Sequence, residues 1–159
     1  MGTSTDGQLS FGVVFEEGYE FPWDADQYGG DLDEWWQSIS GYDNPHKPFN
    51  EHGEWNPGVT RESQVYKDYS AYRKKWKEEN PNPIGCDGPV ELVNYCSDGC
   101  PMYLLLSKHY SAKRGHPENV DVDTLRNTDE AYQALAEFLD RFDIHTEDDP
   151  QWWLTSYWG

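Results

Sequence analysis

The chain has 159 residues and a formal net charge of −18, long enough for one domain with a sizeable core. Mean hydropathy is −0.95, yet aromatic residues make up 16%, and large rings bury area that aliphatic side chains would otherwise supply. Wholesale disorder is therefore excluded, and so is broad attachment to nucleic acid or to an anionic membrane.

In chain order, residues 1–8 are small and polar and read as a flexible lead-in to a single compact domain over 9–159. Ser10–Phe15 is predicted as a strand turned by Glu16-Glu17-Gly18, with Tyr19–Trp23 pairing back or running extended. Asp31 is placed to cap a short helix over Leu32–Ile39, with Asp33 and Glu34 favourably in its first turn. Residues 41–58 form a long irregular connection. Thr60–Glu79 carries Val65, Tyr69, Tyr72 and Trp76 on one stripe and predicts the clearest helix, stopped by Asn80-Pro81.

Val90–Tyr95 and Met102–Ser107 read as two strands about the turn signal Ser97-Asp98-Gly99, and Lys108-His109 as a turn into a third strand over Tyr110–Arg114. His116–Asp123 is loop. Thr128 is expected to cap a helix that aligns Tyr132, Leu135, Ala136, Leu139 and Phe142. An acidic linker, Asp143–Pro150, leads to Trp152-Trp153-Leu154-Thr155-Ser156-Tyr157-Trp158-Gly159. So aromatic an end reads as a core plug docked against the hairpin, with Trp152 and Trp158 mostly buried. The fold class that follows is α+β: a small antiparallel sheet with two or three helices packed on it and an aromatic-rich core.

Charge is unevenly spread. Residues 1–60 carry 12 acidic and 1 basic side chain, 61–114 carry 7 and 9, and 115–159 carry 11 and 2. Two acidic ends thus flank a mildly basic middle, and whether they meet in space decides how many acidic faces exist.

No motif specifies chemistry. Asp24, Asp26 and Gly29 open like a calcium loop, but Tyr28 stands at the fifth position and Trp35 at the twelfth, where a bidentate Glu is needed. Cys86, Cys96 and Cys100, with His109 or His116, lack the paired spacing of a zinc site. No nucleophile elbow, phosphate-binding glycine loop or HExxH is present. No cofactor and no metal are expected, and an enzyme is the lesser reading. If there were catalysis, its residues would be drawn from His116, Arg114, Cys96 and Asp98.

Residues 1–10 lack the charged and apolar stretches of a signal peptide, and no run approaches the ~20 apolar residues of a membrane span. Three cysteines cannot all pair within the chain. A reducing cytoplasm is the expected location.

The run Gly88-Pro-Val-Glu-Leu-Val-Asn-Tyr-Cys-Ser-Asp-Gly-Cys-Pro-Met-Tyr-Leu-Leu-Leu, then Arg114-Gly115-His116-Pro117, then Trp152–Gly159, resembles small proteins encoded by bacteriophages and prophages. The likeness covers about residues 85–159, with a weaker echo in Phe11–Trp36. Some of those relatives are labelled hydrolase, but no catalytic residue carries over. The resemblance implies a viral gene product acting in the bacterial host cytoplasm.

Together these readings predict an acidic binding protein that interferes with a basic or nucleic-acid-binding host protein, of defence or nucleic-acid handling, by presenting carboxylates as phosphates. Asp24, Asp26, Asp31, Asp33 and Glu34 are the expected face, with Trp35 or Trp36 as anchor. Direct nucleic-acid binding is disfavoured by charge. The alternatives are a small hydrolase or nucleotide-processing enzyme, and a sponge that sequesters nucleotides on its aromatics.

Overall fold

The computed structural model describes residues 5–85, 88–97 and 100–158. The chain divides into two compact units, residues 1–30 with 83–159, and residues 31–82.

The larger unit is built on four strands, β1 (Thr5–Phe15), β2 (Glu91–Ser97), β3 (Cys100–Ala112) and β4 (Gln151–Trp158). They join in the order β1-β3-β2-β4 and close into a ring. β1 runs antiparallel between β3 and β4, and β2 antiparallel to β3. The ring closes through a short parallel contact, in which Cys96 and Ser97 of β2 meet Tyr157 and Trp158 of β4. The α+β class read from the sequence is the class observed, and this closing pair makes the sheet mixed.

β3 is the spine. Leu104, Leu105 and Leu106 are all buried, although successive strand residues point to opposite faces. Both faces at this point are therefore covered. One cover is helix α4 (Asp129–Arg141), whose Ala131, Leu135 and Phe138 are buried and which packs on β3 and β1. Thr128 stands at its N-cap as expected, but its hydroxyl makes no capping bond.

The turn expected at Lys108-His109 is absent, because β3 continues through it. Phe11 pairs with Lys108 and Gly12 with Leu106, so Ser107 is an extra residue, a β-bulge. The Ser107 hydroxyl donates to the Ala131 carbonyl at 3.0 Å, giving the bulged residue a partner on α4. An inserted residue breaks the two-residue alternation, and in the sequence that break imitates a turn.

Gly12 lies opposite the bulge, where a Cβ would fall 2.1 Å from the Leu105 carbonyl oxygen. Two residues before it on β1, Ser10 is fully buried and its hydroxyl lies 2.8 Å from His109 Nδ1.

β1 begins five residues earlier than predicted. Thr5–Leu9 pair with β4, so part of the expected lead-in is strand. β4 likewise is a regular strand along β1 that meets the β2–β3 hairpin only at its end, through Tyr157 and Trp158, rather than a plug. Trp152 and Trp153 are half-buried, their indole N–H groups donating to the Leu125 and Gly12 carbonyls at 2.9 Å each. The side chain of Trp158 lies outside the described residues.

Leu125 belongs to α3 (Val122–Arg126), a short helix that begins within the last two residues of the segment read as loop. Asp121 caps it, accepting from the Asp123 N–H and the Thr124 hydroxyl. Beyond β1, Pro22–Asp24 forms a 3-10 turn rather than a returning strand. It carries Phe21 and Trp23 into a nest with Phe15, Tyr19 and Tyr103, in which Phe21 and Trp23 stack at 4.7 Å. Each ring removes roughly 150–250 Å² from water, which explains how so hydrophilic a chain assembles a core.

The smaller unit holds α1 (Leu32–Ile39) and α2 (Gln64–Glu79). Asp31 caps α1 as predicted, accepting from the N–H groups of Asp33 and Glu34. α2 starts four residues later than the stripe predicts, because Thr60–Ser63 is a separate turn closed by the Ser63 hydroxyl on the Thr60 carbonyl. Asp33 pairs with Lys77, and the Trp36 indole donates to Asn80 O, so α1 is tied to the end of α2. The predicted stripe is only part covered: Val65 is exposed, while Tyr69, Tyr72 and Trp76 meet Tyr42, His46 and Phe49 in edge and tilted ring contacts.

Candidate functional site

The residues expected to form one acidic face divide between the two units. Asp24 and Asp26 belong to the larger; Asp31, Asp33, Glu34, Trp35 and Trp36 belong to the smaller. Several are occupied locally. Asp24 accepts from the Phe21 N–H at 2.9 Å, Asp31 caps α1, and Asp33 pairs with Lys77. Trp35 and Trp36 are 3% and 9% exposed, so neither ring is free to anchor a partner. On a helix, neighbours differ by about 100°, which led to the expectation that one of them would face out. Here both have found cover.

The larger unit offers a different place. A cleft of about 590 Å³ lies where β1 ends, lined by Val14, Phe15, Tyr19, Tyr95 and Met102, with Glu16, Glu17, Glu147, Asp148, His145 and Thr146. Its composition follows from the topology. β1 delivers the Glu16-Glu17-Gly18 turn, and the segment that leads into β4 delivers Glu147 and Asp148. Because β4 pairs along β1, with Gly12 opposite Gln151, these two acidic stretches come to one cleft from 130 or more residues apart in sequence. Within this unit, part of each acidic end thus meets the other.

Glu16, Glu17, Glu147 and Asp148 are exposed, and none has an ion pair among the described residues. Like charges without counter-charges at a partly apolar cleft create a focused negative potential. The charge is also concentrated by unit: the larger carries 20 acidic and 5 basic side chains, net −15, and the smaller 10 and 7, net −3. Burial holds the Tyr95 phenol above its ordinary pKa, with the neighbouring Cys96 adding to the rise, so at neutral pH Tyr95 is an uncharged donor and ring.

A second cleft of the same unit, about 590 Å³, is lined by Tyr19, Glu20, Phe21, Asp24, Asp26 and Asp143 among others. Tyr19 borders both. His145 of the first cleft lies 3.5 Å from Asp143 of the second. Asp24 and Asp26 thus do line an acidic cleft, in company that sequence order did not reveal.

The residues considered for catalysis are placed less suggestively. Cys96 is exposed on β2 with φ at 77°. Arg114 and His116 are exposed beyond β3, where the Arg114 N–H donates to Asp6 at 3.2 Å. None of these three lines either cleft. Asp98 lies outside the described residues, as do Cys86 and the side chain of Cys100. His109, the other histidine weighed, is engaged by Ser10. Among the described residues, no group of three or more His, Cys, Asp or Glu side chains is arranged to hold a metal ion, and no helix is long and apolar enough to cross a membrane.

No protein-family model, curated protein or solved structure matches the chain.

Proposed function

We propose that this chain is an acidic binding protein that grips a basic segment of another protein. In the viral setting implied by the sequence resemblance, that partner is a host defence or nucleic-acid-handling protein, and the carboxylates stand where nucleic-acid phosphates would. One observation carries the reading: Glu16 and Glu17 from one end of the chain, and Glu147 and Asp148 from the other, share a single cleft with apolar and aromatic lining.

The chemistry suits a guanidinium. Arg offers a planar fork to carboxylates and stacks on aromatic faces, and Tyr19 and Tyr95 supply the rings. Long-range attraction would raise the rate of encounter, and the close contacts would set specificity. The site proposed from sequence shifts accordingly, from the Asp31–Trp36 helix to this cleft, with Asp24 and Asp26 retained beside it.

The test is capture of basic proteins from bacterial host lysate at about 0.15 M and about 1 M salt, where the screening length falls from ~8 to ~3 Å. The same capture is repeated with Glu16→Gln, Glu17→Gln, Glu147→Gln and Asp148→Asn combined. A basic partner lost at high salt and lost with the neutralised cleft supports the proposal. Capture indifferent to both, or no partner, overturns it.

A further inference from the structure

We infer that the Gln151–Ser156 stretch of β4, before the contact with β2 that closes the ring, is a docking edge, to which an extended basic segment of a partner adds as an antiparallel strand, its cationic end reaching Glu147 and Asp148. This rests on the acidic cleft being a site for a basic partner, and it says how the rest of that partner is held.

The edge follows from the pairing. β4 pairs with β1 over its whole length, but with β2 only at Tyr157 and Trp158. Among the described residues, Gln151–Ser156 are therefore paired on one side only. Six residues span ~20 Å, room for a short added strand. Natural edges are guarded by charge, proline or a bulge. β4 reads Gln-Trp-Trp-Leu-Thr-Ser-Tyr-Trp, with no charged residue and no proline, and its register along β1 has no shift. In a chain of net charge −18 the absence of a guard there is conspicuous. Leu154 is 81% exposed, an apolar contact open to a cross-strand partner.

Direction and charge choose the occupant. A strand antiparallel to β4 ends beside Gln151, so the residues after it run past Pro150 toward Glu147 and Asp148, which line the cleft. Lys or Arg at that end meets carboxylates without ion partners of their own. A second copy would instead bring two units of net −15 together, whereas the same field attracts a basic segment.

The experiment uses the full chain and the peptide Thr-Val-Thr-Val-Thr-Val-Lys-Arg-Lys, alongside two versions N-methylated at alternate backbone amides in either phase. Affinity and amide hydrogen exchange are measured. Strand addition predicts slower exchange across Trp152–Ser156, and for at least one N-methylated version affinity about tenfold weaker or worse. It also predicts weaker binding for both Leu154→Lys and Leu154→Asp, changes at an exposed side chain that leave the fold intact; charge attraction alone would move the two in opposite directions.

Equal affinity for all three peptides, with slowed exchange confined to residues 16–19 and 145–148, overturns strand addition and leaves the acidic-cleft reading standing. No binding by any peptide overturns both. Slow β4 exchange without peptide, with a concentration-dependent doubling of mass, overturns the occupant in favour of a second copy.

Discussion

The indole N–H of Trp153 donates to the carbonyl of Gly12 at 2.9 Å, across 141 positions of sequence. It pins β4 to β1 at the residue where β1 faces the bulge of β3, so one contact serves the register on both sides of β1. Gly12→Ala would set a Cβ 2.1 Å from the Leu105 carbonyl oxygen, and backbone cannot rotate aside as a side chain can. We expect a loss of about 3 kcal/mol or more, against about 1–3 kcal/mol for Trp153→Phe, which leaves the Gly12 carbonyl without its donor. Denaturant unfolding followed by Trp fluorescence checks both; a neutral Gly12→Ala would refute the close approach.

In the smaller unit Asn44 is 5% exposed and uses both ends of its amide. It donates to the Tyr42 hydroxyl and the Tyr69 carbonyl and accepts from the His46 N–H. Asn44→Leu keeps the branched shape but leaves the His46 N–H and the Tyr42 hydroxyl without these partners, while the Tyr69 carbonyl keeps its bond within α2. A loss of about 2–4 kcal/mol is expected, at about 1–3 kcal/mol per stranded group with partial relaxation. Hydrogen exchange should speed up within residues 31–82.

Asp33 tests the relocation of the site. Its pair with Lys77 is about half exposed, at 49% and 41% of the two side chains, so Asp33→Asn is expected to cost no more than about 1 kcal/mol. Partner binding should be almost unchanged, whereas neutralising Glu147 and Asp148 should weaken it. Equal losses from both changes would return the site to the face read from sequence.

Tyr95 and Tyr42 should titrate above the ordinary tyrosine range. Burial is the largest cause at each, raising the pKa by disfavouring the phenolate. The stability this gives is fully present below the unfolded value of about 10 and is lost as pH rises through the raised folded value. Tyr95→Phe should remove part of the alkaline loss of stability. Carbon-13 NMR of the tyrosine ring carbons reads the titration directly, and a Tyr95 that ionised with the exposed tyrosines would refute its burial.

Much of the local structure was legible. Asp31 announces α1 because a carboxylate before a helical stripe caps free N–H groups, and Tyr132 to Phe142 reveal α4 by their spacing. Asp121, with Asp123 and Thr124 after it, is a similar signal for α3, overlooked in so acidic a stretch. The bulge at Ser107 was hidden, since one extra residue in a strand leaves no mark except a broken alternation that also signals a turn.

For the site, Glu16-Glu17 and Glu147-Asp148 were both visible as acidic stretches, and Tyr19 and Tyr95 as aromatics beside strand ends. What joins them is the pairing of β1 with β4, and periodicity within a strand says nothing about which distant strand it will meet. By itself the sequence determined the elements, the excess of carboxylates and the aromatic composition of the core, since these depend on neighbours along the chain. Only the tertiary structure decided that Glu16-Glu17 and Glu147-Asp148 share a cleft and that Trp35 and Trp36 turn inward, because long-range pairing and burial are settled by contacts between segments far apart in sequence.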